Sequence, residues 1–178
     1  MAAGEKGGEA DDLVVPLADE AGLSAVAETL SDTLPERACL ALHGDLGAGK
    51  TTLVKALAAA AGIDPGTVVS PTFGLIHLHD LAPGHPAGRL VHADLYRLAG
   101  PGDLDELGWD ELLSAPGWLA VEWPSRAAGA LPADRLDVTI GIEGPTARRL
   151  SFAARGPRHR PVIAALSRLP GAVPCPRR

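Results

Sequence analysis

The stretch Gly44-Asp45-Leu46-Gly47-Ala48-Gly49-Lys50-Thr51 fits G-x-x-x-x-G-K-[ST], the loop that wraps its backbone around nucleotide phosphates. The chemistry asks for these residue types. Glycines let successive N–H groups turn inward around a β-phosphate where a Cβ would block the approach. Lys50 would bridge β- and γ-phosphate, and the Thr51 hydroxyl would bind Mg2+. The competing reading is a glycine-rich turn that spells the pattern by accident. With 21 Gly and 3 lysines among 178 residues, the fixed positions coincide in roughly 0.3% of shuffles of this composition, so accident is set aside.

A phosphate loop alone does not name a reaction; the acids that face it do. Glu122 ends the apolar run GWLAV, and Asp94 ends RLVHA in the same way. A carboxylate at the end of an apolar strand is how P-loop proteins hold Mg2+, directly or through water. The bland alternative for each is a salt bridge or helix cap at a strand end. Thr72, in SPTF about twenty residues beyond the loop, is placed like a switch threonine that senses γ-phosphate and Mg2+.

These side chains need a scaffold. RACLALHG, directly before the loop, is a continuous apolar run of the kind a strand buried on both faces shows. KTTLVKALAAAAG, directly after it, reads as a helix closing on Gly62, with its first N–H groups aimed at the anion. Upstream, LVVPL (13–17) reads as a strand, and Leu23, Val26, Ala27, Leu30 and Leu34 fall at helical spacing between an N-cap at Asp19 and Pro35. Downstream, TVVSPTFGLIHLHD and GRLVHADLYRL read as antiparallel strands joined by LAPGHPAG. GDLDELGWDELLS reads as a short helix, GWLAVEW as a buried strand, and DRLDVTIGIEG with ARRLSFAARG as a hairpin around GPT. The fold class that follows is α/β, a single P-loop NTPase domain with a mixed central sheet flanked by helices and extended by antiparallel strands. Residues 1–11 are expected to be disordered and 12–155 to form the ATPase domain. Residues 156–178 are expected to be a loosely attached Pro/Arg-rich tail with a short helix in VIAALSRL.

Composition narrows the function. The chain is 46% hydrophobic, enough for one core. A net charge of −6 argues against gripping nucleic acid unaided, and six aromatic residues leave no stacking surface. Any RNA role must pass through a partner. No apolar run reaches the roughly 20 residues of a membrane helix, and the glycine- and acid-rich start is unlike a signal peptide. A cytoplasmic protein with no membrane attachment is expected. Cys39 and Cys175 make no disulfide framework and are expected to be inert.

Beyond the loop, GDLGAGKTT, VSPTF, HADLYRL, LDELGWDELL and AVEWP stand in the order and spacing of the bacterial TsaE proteins, which the chain resembles over about residues 13–152. The resemblance implies a small P-loop ATPase needed for threonylcarbamoyladenosine at position 37 of ANN-decoding tRNAs. In that family the ATPase binds a TsaD and TsaB pair and meets tRNA only through the complex; ATP hydrolysis supports repeated turnover by the pair. Carried over residue by residue, the resemblance puts nucleotide phosphates on Asp45, Leu46, Gly47, Ala48, Gly49, Lys50, Thr51 and Thr52, and Mg2+ on Thr51 and Glu122. Asp94 becomes the hydrolytic carboxylate, acting with Lys50 and the switch residue Thr72. Trp123 would lie close to the nucleotide, and Glu20 in VPLADE near the adenine. The chain departs from the family at Gly74, where a threonine or similar residue is usual, and at Ala93, where the usual residue is a bulkier apolar one. The tail lies outside the shared pattern.

Two other classes compete. A nucleoside or small-molecule kinase shares the P-loop but needs an arginine lid and an acceptor pocket, and EWPSRAAGALP supplies one arginine. A nucleotide-gated binding module would use the same loop with docking as its output. A GTPase is disfavoured because the guanine-reading N-K-x-D is missing. His77 and His79 could hold a metal at i, i+2 but have no third ligand in sight, so a solvated face is expected. Arg97 is open to two roles, stabilising transferred phosphate or pairing with the acids of DLDEL.

Overall fold

The computed structural model describes residues 12–71, 76–98, 102–127 and 129–175. Eight strands, β1 (Asp12–Leu17), β2 (Arg37–His43), β3 (Ile76–Asp80), β4 (Arg89–Asp94), β5 (Gly117–Glu122), β6 (Arg135–Ile142), β7 (Arg148–Arg155) and β8 (Val173–Pro174), form one mixed sheet. Their order is β3-β4-β5-β2-β6-β7-β1-β8. Strands β4, β5, β2 and β6 run parallel, so their C-terminal ends share one end of the sheet. The remaining strands are antiparallel extensions. Among the described residues five helices pack on the sheet: α1 (Glu20–Thr33), α2 (Lys50–Ala60), α3 (Gly102–Glu106), α4 (Trp109–Ser114) and α5 (Arg160–Leu166).

The apolar run of β2 explains the layering. Leu40 and Leu42 join a core with Val26 and Leu30 of α1, Leu53 and Leu57 of α2, and Phe152 of β7. Cys39 points the other way, into a smaller core where Trp109 and Leu104 cover Val91 and Val121. Strand β2 is therefore buried on both faces, as a central parallel strand must be. Burial pushes the Cys39 thiol up to about 12, which keeps it protonated and unreactive. The Asp19 carboxylate caps α1 by accepting from the Gly22 N–H at 3.2 Å. Among the described residues no helix is long and apolar enough to cross a membrane.

Three expectations change. The helix over 102–114 is two helices, because Gly108 at φ 64° takes the left-handed conformation and breaks the ladder. The segment after Arg155 is not a loose tail. Val162, Ile163 and Leu166 of α5 are buried in the larger core, and β8 pairs with β1 through Val14 and Val173. His77 and His79 are half-buried rather than solvated, and it is Leu78 between them, 58% exposed, that faces water. His77 sits opposite His92 in the β3–β4 ladder, which turns the two histidines toward the covered side.

Candidate functional site

The phosphate loop leaves β2 at Gly44, whose φ is 143°. A Cβ there would lie 2.6 Å from the carbonyl oxygen of Ile140, so only glycine fits. Gly49, at φ 110°, is the N-cap of α2 and offers no side-chain acceptor. The first N–H groups of this 11-residue helix thus lack a side-chain cap, as an anion site requires. Arg148 braces the loop from the far hairpin. Its Nε donates to the Ala48 carbonyl at 2.9 Å, and its Nη1 donates to the carbonyls of Gly144 and Ala147, both at 2.9 Å.

Lys50 is buried at the mouth of α2, where its Nζ donates to the carbonyls of Gly44 at 2.7 Å and Asp45 at 2.9 Å. The same Nζ lies 4.1 Å from the centroid of the Trp123 ring. Burial lowers the Lys50 pKa, and the charges of Glu122, Asp94 and Asp45 oppose that shift. Trp123 holds φ at 57°, a conformation that costs a bulky residue on the order of 1–3 kcal/mol. Strain of that kind marks a position whose placement matters. The Tyr96 ring packs 4.9 Å from it, centroid to centroid.

The two strand-end carboxylates meet because β4 and β5 are parallel and in register, with Asp94 beside Glu122. They are 4% and 3% exposed. Asp94 accepts from the Tyr96 N–H at 3.0 Å and from the Ser70 hydroxyl at 3.4 Å. Glu122 Oε1 accepts from the Thr51 hydroxyl at 2.7 Å, and His92 Nε2 lies 2.8 Å from the same oxygen. Lys50, Thr51, Asp94, Glu122, Tyr96 and Trp123 line a cavity of about 270 Å³. A second cleft of about 540 Å³ adjoins it at Gly49 and Thr52, walled by Leu17, Leu23, Ile140 and Leu150 with Glu20 and Thr146 at its polar positions. Two adjoining cavities therefore meet at the loop, one mostly apolar and one carrying the charged side chains, which suits a base in the first and phosphates in the second.

The donor set suits Mg2+. A hydroxyl and a carboxylate are hard oxygen ligands. Among the described residues no group of three His, Cys, Asp or Glu side chains could hold a metal ion.

Of the expected phosphate-loop residues, Leu46, Gly47, Gly49, Lys50, Thr51 and Thr52 line the cavity with Asp94, Glu122 and Trp123; Ala48 and Glu20 line the adjoining apolar cleft, and Asp45 lines neither. Thr72 and Gly74 lie outside the described residues. Arg97 is exposed and does not line the cavity. Ser70, His92, Tyr96 and Arg148 belong to the site without having been singled out. His92 had a signal: at i−2 from Asp94 on a strand, it must share that carboxylate's face. Arg148 had none, because its contact with Ala48 spans 100 residues of sequence.

Residues 17–150 match the family profile described as threonylcarbamoyl adenosine biosynthesis protein TsaE. A relative from Bacillus subtilis, named tRNA threonylcarbamoyladenosine biosynthesis protein TsaE, is 37% identical over 131 residues, covering 72% of this chain and 77% of its own. The protein of that name from Haemophilus influenzae is 33% identical over 144 residues, covering 79% and 86%. The crystal structure of YdiB from Bacillus subtilis superposes with a TM-score of 0.69 at 30% identity, over 88% of this chain and 95% of that one.

Proposed function

This chain belongs to the TsaE family, and from that premise we propose that it binds ATP with Mg2+ and hydrolyses the ATP in support of tRNA threonylcarbamoyladenosine formation, in complex with TsaD and TsaB homologues. The observation that carries this reading is the convergence of Lys50, Thr51, Asp94 and Glu122 on one cavity at the end of the parallel strands. The uncapped N-terminus of α2 and the loop N–H groups bind the β-phosphate. Lys50 exchanges its hydrogen bonds to the Gly44 and Asp45 carbonyls for β- and γ-phosphate oxygens. Thr51 and Glu122 hold Mg2+, which when bound neutralises charge developing on the transferred phosphoryl group. Asp94, fixed by the Tyr96 N–H, positions the attacking water. The adjoining apolar cleft takes the adenine, with Glu20 at its edge. The acidic chain reaches tRNA through its partners, since a net charge of −6 disfavours gripping RNA phosphates unaided.

Reconstitution tests the reading. Purified TsaD and TsaB homologues are supplied with tRNA and the threonylcarbamoyl donor, and modified tRNA is counted per TsaD with and without this chain. The wild-type chain with ATP should raise the count well above one, and Lys50→Ala should not. A count unaffected by the chain would contradict the proposal.

A further inference from the structure

We infer that His92 is a positioning residue that fixes the Glu122 carboxylate for its cation, an inference that rests on the ATP and Mg2+ site proposed above. His92 is 0% exposed, so it cannot touch a nucleotide. Among the described residues its ring has one hydrogen-bond partner, Glu122 Oε1, at 2.8 Å from Nε2. An ionised carboxylate only accepts, so Nε2 carries the hydrogen and donates. Thr51 donates to the same oxygen at 2.7 Å. Two donors on Oε1 hold the carboxylate against rotation and leave Oε2 without a protein donor among the described residues, open to a cation or its water. The strand register makes the reach feasible. His92 pairs with Ala120 on β5, and the small alanine side chain lets the imidazole lean diagonally to Glu122 two residues on.

The other ring nitrogen shows that packing is not the reason for this histidine. His92 Nδ1 is buried with no hydrogen-bond partner among the described residues. An apolar ring would fill the space without that cost, so the residue's use lies at Nε2. Partners that orient a metal ligand from behind typically change metal affinity about 10 to 100-fold when removed.

The test measures binding of a fluorescent ADP analogue to the full chain, in EDTA and across a Mg2+ titration, alongside thermal melting. His92→Phe keeps the ring and loses the donor, whereas His92→Gln restores an N–H at a similar reach. His92→Asn carries an amide that stops short of Glu122, and it serves if the phenylalanine variant does not fold. The Phe and Asn variants should match wild type in EDTA yet need about 10 to 100-fold more Mg2+ for the same gain in affinity. The Gln variant should recover most of the response. An unchanged Mg2+ response in Phe or Asn, or an equal loss of affinity in EDTA, would overturn the role of His92 alone. A wild-type chain with no Mg2+ response would overturn the proposed site and this role with it.

Discussion

Two buried carboxylates flank β2, Glu122 on β5 and Asp137 on β6, and they are satisfied in opposite ways. Asp137 is enclosed by cations. It accepts from Arg135 Nε at 2.7 Å and from Arg155 Nε at 2.8 Å, with His43 Nε2 at 3.9 Å. Burial pushes its pKa up, but His43, Arg155 and Arg135 outweigh burial and hold it well below the ordinary carboxylate range. The two arginines carry most of that effect, because 3.9 Å is too long for a hydrogen bond from His43. Glu122 is buried more deeply, at 3% against 9% exposure, yet among the described residues no guanidinium pairs with it. The nearby ammonium of Lys50 is tied to loop carbonyls instead. A carboxylate whose charge is neutralised from within the fold is architecture. One whose charge is met by a hydroxyl and an imidazole fits the cation site proposed above.

The contrast can be broken by substitution. Lys50→Ala should have the largest effect on the nucleotide side, lowering ATP affinity about 100-fold by equilibrium binding, since charge-assisted hydrogen bonds to two phosphates are lost. Glu122→Gln should lower ATP turnover roughly 10 to 100-fold while leaving the melting temperature near wild type, because the amide oxygen still accepts from Thr51. Asp137→Asn should do the reverse. Nucleotide binding should stay intact, and urea unfolding should show a loss of about 1–3 kcal/mol at neutral pH as Arg135 and Arg155 lose their counter-ion.

The pH dependence sharpens the same prediction. Because the folded pKa of Asp137 lies below its unfolded value of about 3.9, its contribution is present above about pH 4 and is lost as pH falls toward the folded pKa. The stability gap between wild type and Asp137→Asn should therefore narrow progressively as pH falls from about 4 toward the folded pKa. The smallest effect belongs to Arg148→Met, which removes the brace on the Ala48 carbonyl and should weaken ATP binding by roughly 2 to 10-fold.

The difference between the two carboxylates also marks what sequence could convey. The loop from Gly44 to Thr51, the strand before it and the helix after it are contiguous, so spacing alone places them. Asp94 and Glu122 are legible as strand ends, and that they meet follows once both strands are parallel neighbours of one sheet. The role of Asp137 is not legible, since it depends on a cross-strand partner, Arg155, 18 residues away. His92 needs the β4–β5 register as well as the alternation within its own strand. The short helix in VIAALSRL is legible, but its docking as α5 on the core is masked by composition. Its apolar residues Val162, Ile163 and Leu166 sit in a Pro- and Arg-rich stretch, and only the packing against α1 and β1 reveals them as core. The break at Gly108 is the converse case, a single left-handed glycine dividing a stretch whose composition reads as one helix.

Phosphate release from ATP by the full chain, alone and with TsaD and TsaB homologues, tests the central claim most directly. Slow release alone, faster release with the pair, and loss of both in Lys50→Ala are the predicted results. Equally fast release without partners, or transfer of the phosphate to a nucleoside instead of water, would contradict the account.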